Sequence, residues 1–102
     1  MNLWIDDIRP APEGYHQCYS VNEAKEFIIN NYNDLEIVDM DHDSGDYYGA
    51  GGDYIKILDW LENYEAETDR KVKFSFHIHS MNPVGRRNMQ YIIENNNWKY
   101  IN

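Results

Sequence analysis

Three short apolar runs in this sequence each stop at side chains that bind charge or move protons. Leu3-Trp4-Ile5 stops at Asp6-Asp7, the run from Leu35 to Met40 stops at Asp41-His42-Asp43, and the run from Val72 leads into His79-Ser80. Carboxylates in small number, with room for water, are hard oxygen ligands of the kind Mg²⁺ or Mn²⁺ takes. Crowded carboxylates also disfavour one another's ionisation unless a cation or an arginine neutralises them. Asp6, Asp7, Asp41 and Asp43 are therefore the candidate metal ligands. In an extended backbone Asp41 and Asp43 point to one side and His42 to the other. The plainer alternative is that these acids cap turns or face solvent.

The stretch FSFHIHSMNPVGRRNM, residues 74–89, concentrates the remaining chemistry. His77 and His79 project to the same side of a strand. His79 stands at the strand end, where a general acid or base belongs. His77, further back, reads as a hydrogen-bonded packing residue. Ser80 and Asn82 offer a hydroxyl and an amide to the same turn. A Ser-His-Asp triad is disfavoured, because the serine directly follows the histidine and no nucleophile-elbow glycines flank it. A helix beginning at Gly85 would carry Arg86 and Arg87 in its first turn, where cations oppose the helix dipole. A bound anion explains them, and Gly85 lets backbone approach it; pairing with the many acids is the alternative. Arg9 is a second candidate phosphate clamp. The catalytic candidates are thus His79, Asp41 and Ser80, and the phosphate-binding candidates Arg9, Ser80, Asn82, Gly85 and Arg86.

Elements must exist to hold these groups together. Ser20-Val21-Asn22-Glu23 is a capping box opening a helix, with Val21, Ala24, Phe27 and Ile28 at helical spacing. A second helix begins near Asp53 and turns Tyr54, Ile57, Leu58 and Leu61 to one face. The third, from Gly85, buries Met89, Ile92 and Ile93. The segment YHQCYS reads as a second strand and WKYI as a last edge strand. Strands alternating with helices predict a mostly parallel sheet with helices on its faces, a small three-layer α/β domain over residues 1–102. In such sheets ligands gather at the C-terminal ends of the strands. The glycine-rich GDYYGAGGD lacks the lysine of a phosphate-binding P-loop and reads as a lid whose Tyr47 and Tyr48 stack on a base.

Composition narrows the partners. Eighteen acidic residues against 9 basic ones give a formal charge of −9. That field argues against a duplex DNA surface and leaves room for a small phosphorylated ligand or an RNA end. Cys18 is alone, so there is no disulfide framework. No apolar stretch reaches membrane-spanning length and no signal-peptide pattern opens the chain, so the expected location is cytoplasmic.

The blocks LWIDDIRPAPEGY, DMDHDSG, GGDYIKILDWLE and HIHSMNPVGRRNM resemble, in that order, the motifs of the cyclic-phosphate-processing receiver-like family. The resemblance implies a flavodoxin-like receiver fold and action on cyclic phosphates. It marks Asp6, Asp7, Arg9, Asp41, His42, Asp43, His79, Ser80, Asn82, Gly85, Asn88 and Met89. Ser44 departs from the apolar residue usual after DHD. The expected function is a metal-assisted phosphoesterase acting on a cyclic nucleotide or an RNA 2′,3′-cyclic phosphate end. A phosphoacceptor signalling receiver and a non-catalytic cyclic-nucleotide-binding module are the alternatives. Against the signalling receiver, Lys99 is the only late lysine and lacks the usual following proline.

Overall fold

The computed structural model describes residues 1–43 and 52–101. The lid expectation, with Tyr47 and Tyr48, falls outside them. Five strands alternate with three helices: β1 (Asn2–Ile5), β2 (Tyr15–Cys18), α1 (Val21–Asn30), β3 (Ile37–Met40), α2 (Ile55–Thr68), β4 (Ser75–Ile78), α3 (Pro83–Asn95) and β5 (Lys99–Tyr100). The strands form one sheet in the order β2-β1-β3-β4-β5, every pair parallel. This is the expected receiver-like α/β class.

The layering differs from the three layers expected. From β2 to β3, β3 to β4 and β4 to β5 the chain always steps in the same direction across the sheet. Right-handed crossovers then place α1, α2 and α3 on one face. Each helix touches the next, and their inward residues share one core with Leu3, Ile5, Cys18, Val38, Met40, Phe76 and Ile78. The β1-to-β2 step runs the other way and would lay a helix on the opposite face. Its connection instead carries Pro10, Pro12 and Gly14, which suit a turn rather than a helix. Among the described residues no helix covers that second face.

Strand alternation fixes what the open face displays. In register across β2, β1, β3 and β4 lie Gln17, Trp4, Asp39 and His77. Their neighbours one position along, Cys18, Ile5, Met40 and Ile78, are buried under the helices. One face is hydrocarbon; the other carries an indole, a carboxylate, an imidazole and an amide.

Local chemistry explains the helix ends. Ser20 Oγ accepts from the Glu23 amide at 3.1 Å, as a cap should. The return bond of the capping box is not made among the described residues, because the Glu23 carboxylate lies against Cys18. Burial, then Glu23, pushes that thiol up to about 12, leaving it inert. α3 starts earlier than Gly85. Asn82 caps it through Oδ1, which accepts from the Gly85 amide at 3.0 Å, and Pro83 occupies the first turn, where its missing N–H costs nothing. Tyr54, wholly buried, donates to the Tyr19 carbonyl at 2.8 Å and ties the start of α2 to the end of β2. No helix among the described residues is long and apolar enough to cross a membrane.

Candidate functional site

The chain turns back after β1, leaving to one side for β2 and returning to the other for β3. This puts the topological switch point between β1 and β3, where crevices form in open parallel sheets. Asp6 lies just past β1 there and is fully buried. Its Oδ1 accepts from the backbone amides of Ile8 at 2.8 Å and Arg9 at 3.1 Å. Its Oδ2 lies 2.9 Å from His79 Nε2. The other ring nitrogen, Nδ1, is 2.7 Å from Asp39 Oδ1. His79 is thus held between two carboxylates, its side chain only 9% exposed. It also stacks flat on the Trp4 indole, with centroids 3.8 Å apart and planes 3° from parallel.

Electrostatics follows from that geometry. Burial works to lower the His79 pKa, but hydrogen bonds to Asp39 and Asp6, and the charge of both, outweigh it and hold the imidazole above its ordinary value. Burial likewise pushes Asp6 up, and the Ile8 and Arg9 amides, with His79, overcome it and leave the carboxyl below its ordinary value. An ionised carboxylate only accepts hydrogen bonds, so a nitrogen facing one must carry a proton. A carboxylate at each nitrogen favours the imidazolium form of His79, and so does the indole face beneath it. The general acid or base expected at His79 therefore has no nitrogen left for substrate; what it offers is a fixed positive charge.

Arg9 sits beside it. Its Nη1 donates to the His79 carbonyl at 2.9 Å, fastening the β1–β2 connection to the end of β4. The Arg9 carbonyl accepts from Trp4 Nε1 at 3.0 Å and from Gln17 Nε2 at 3.0 Å, and Gln17 also donates to the Asp6 carbonyl at 2.9 Å. These bonds lock the connection over the edge of the sheet without a helix.

The next turn is built from the other expected phosphate ligands. Ser80, almost wholly buried, accepts from the Asn82 amide at 3.0 Å. Of the first amides of α3, Gly85 donates to the Asn82 side chain and Arg86 to the Asn82 carbonyl at 2.9 Å. Those two amides are used within the turn. Arg86 and Arg87 are exposed and form no ion pair among the described residues. Gly85 has a further reason to be glycine: a Cβ there would stand 2.6 Å from the His42 ring.

The four expected metal ligands are not gathered into one cluster among the described residues. Strand β3 ends at Met40, so the alternation that would align Asp41 with Asp43 does not continue. Asp41 Oδ1 accepts from the His42 amide at 2.8 Å, and Asp43 Oδ1 lies 2.7 Å from His42 Nδ1. Asp6 is engaged on both oxygens by its own turn and His79. The donor group that does form is His42, Asp43 and Asp53, with ligand atoms within 4.8 Å of one another. One imidazole with two carboxylates suits Mn²⁺ better than Mg²⁺, which prefers oxygen throughout.

Two residues of this centre escaped the sequence reading. Asp39 is an acid inside an apolar run, at the same alternation as Trp4 and His77, and that parity was its signal. Trp4 belongs to the apolar run Leu3-Trp4-Ile5, yet it lies on the open face. A separate groove of about 280 Å³ is lined by His16, Cys18, Glu23, Glu26, Phe27 and Asn30. Its two glutamates repel a phosphate. The lysine test is also answered: Lys99 pairs with Ser75, four positions before His79 along β4, about 13 Å below the site at the rise of a strand.

A search of curated proteins and of solved structures returned no match. A model of the cyclic-phosphate processing receiver domain matches residues 1–95, which takes in every residue of the centre just described. The chain belongs to the cyclic-phosphate processing receiver domain family.

Proposed function

We infer that this domain is a phosphoesterase that opens a cyclic phosphate, on a cyclic nucleotide or at an RNA 2′,3′-cyclic phosphate end. The observation that carries the reading is the Arg9 guanidinium fastened at the switch point by its bond to the His79 carbonyl, next to the Ser80–Asn82 turn that opens α3. In an otherwise acidic protein this is a local seat for an anion, and membership of a family named for cyclic-phosphate processing supports a cyclic phosphate as that anion. Ser80 and Asn82 follow His79 in the same turn and Arg86 lies in the first turn of α3, where they could reach a bound phosphate, and Asn82 Nδ2 is uncommitted among the described residues. Asp41 and Asp7 stand at the ends of β3 and β1, where an attacking water would be oriented. A divalent cation, held by Asp43 with His42 and Asp53, would add charge neutralisation at the same edge of the sheet. The ligand class is a small phosphate ester or an RNA end rather than duplex DNA, and the location that goes with it is cytoplasmic.

A conventional phosphoacceptor receiver is less well supported, because Lys99 lies at the wrong end of its strand. The test is ³¹P NMR of the protein with Mn²⁺ or Mg²⁺ and a panel of 2′,3′- and 3′,5′-cyclic nucleotides. The expected result is a growing monoester resonance with one class of ring. Shifted or broadened ligand signals without product would replace the phosphoesterase with a binding module. No change with any ligand, together with labelling of Asp41 by acetyl phosphate, would restore the signalling receiver.

A further inference from the structure

His77 and His79 share one acceptor, and their circumstances differ. Asp39 Oδ1 lies 2.7 Å from His79 Nδ1 and 3.0 Å from His77 Nδ1. The second nitrogen of His79 is taken by Asp6, and its ring is buried against Trp4. The His77 side chain is 36% exposed on the uncovered face of the sheet, and its Nε2 has no partner among the described residues. With Asp39 as acceptor, His77 donates through Nδ1, and the neutral ring with that tautomer presents its lone pair on Nε2. A histidine oriented through one nitrogen by a carboxylate and open at the other is the arrangement a general base requires.

Asp39 Oδ1 is shared by both imidazoles, so one carboxylate oxygen orients His77 while also holding His79. The groups facing His77 are Asp39 from β3 and, through it, His79 from its own strand end; among the described residues no cation pairs with this cluster from the remaining strands.

We propose that His77 is the proton-transfer residue of this domain, that Asp39 orients it, and that the substrate therefore lies against the open face of the sheet beside Trp4 rather than only over the ends of its strands. The proposal rests on the phosphoesterase reading for its reaction. His77 Nε2 takes a proton from water as the water oxygen bonds to phosphorus. The endocyclic P–O bond breaks, and the released alkoxide takes a proton from solvent. His77 then returns its own proton to solvent, leaving a phosphomonoester with one water added. His79 keeps both protons throughout.

The experiment uses the full chain labelled with ¹⁵N-histidine, with 2′,3′-cyclic AMP as the probe. At neutral pH, long-range ¹H–¹⁵N spectra should show His79 protonated at both nitrogens and His77 with a bare Nε2 whose resonance moves on adding the nucleotide. In kinetics, His77→Gln should lower kcat by about 10²–10⁴-fold with little change in KM and remove the acidic limb of the kcat profile. His77→Ala should recover part of its rate with added imidazole, which a packing role would not allow. His79→Gln should act mainly through KM and gain nothing from imidazole. A His77 Nε2 that is protonated, or indifferent to the nucleotide, overturns the proposal, and so does a His77→Gln protein with wild-type kcat. If wild type turns over no cyclic phosphate, the phosphoesterase reading falls. The nucleotide-dependent shift at His77 then still decides whether this imidazole faces the ligand.

Discussion

The two faces of this sheet are made from the same strands and do opposite work. Phe76 and His77 are consecutive, yet Phe76 is wholly buried beneath the helices while His77 stands half-exposed on a face no described helix covers. Under the helices the side chains are Leu, Ile, Val, Met and Phe, which stabilise by leaving water. On the open face the row is Gln17, Trp4, Asp39 and His77, which hold one another through hydrogen bonds and stacking. Stability is concentrated on one side of the sheet, which frees the other to carry polar groups that would be costly in a core. Three crossovers stepping one way, and one connection too short and too rich in proline to form a helix, produce that asymmetry.

The comparison breaks most sharply at Phe76. Phe76→Ala should cost about 3–5 kcal/mol of stability, read from urea unfolding, whereas His77→Gln next to it should cost well under half as much. Equal losses would mean the open face is packed after all. Next in size is Asp39→Asn, which removes the acceptor shared by both histidines. It should lower turnover of the cyclic phosphate by about 10²–10⁴-fold and destabilise by about 1–3 kcal/mol, since His79 keeps only Asp6. A stable protein with unchanged rate would separate Asp39 from the chemistry.

Gly85→Ala tests the other end of the site. Its new Cβ meets the His42 ring at 2.6 Å, so the ring or the first turn of α3 must move. The expected cost is about 1–3 kcal/mol, with a displaced His42 resonance and weakened Mn²⁺ binding by calorimetry. An undisturbed His42 signal would mean that the turn yields instead.

The gentlest probe is pH. Because the His79 pKa is raised by folding, the unfolded chain gives up this proton before the folded one does. Stability from His79 is therefore complete below the ordinary histidine value and is lost as pH climbs through the higher folded one. Asp6 acts at the other limit, its contribution present above the ordinary aspartate value and lost as acid protonates the folded carboxyl. Thermal melts should decline on the alkaline side in wild type, and the decline should flatten in His79→Gln.

Much of the fold was legible because it rests on local signals. The Ser20 cap, the helical spacing of Val21, Ala24 and Ile28, and the apolar strands are each visible within a few residues. Asn82-Pro83 was such a signal too, a cap followed by a first-turn proline, and it places the start of α3 that Gly85 alone had suggested later. The number of layers was not legible in the same way. It depends on the direction of every crossover, which only the strand order reveals. The ends of the strands were singled out as places to look, and Asp6, Arg9 and His79 are joined there by hydrogen bonds. What periodicity could not supply was pairing. Asp39 meets His79 across 40 residues of sequence, and Asp43 turns back on His42 because β3 stops short. Such contacts come from register and strand length, which no spacing rule in one segment contains.

The most direct test of the open face as the place of the chemistry is to map where 2′,3′-cyclic AMP binds by chemical-shift perturbation. The account predicts that the Trp4 indole N–H, the Arg9 side chain, His77 and the Ser80 and Asn82 amides shift together, while Phe27 and Glu26 in the acidic groove stay still. Perturbations centred on His16, Phe27 and Glu26, with Trp4 and His77 unmoved, would contradict it.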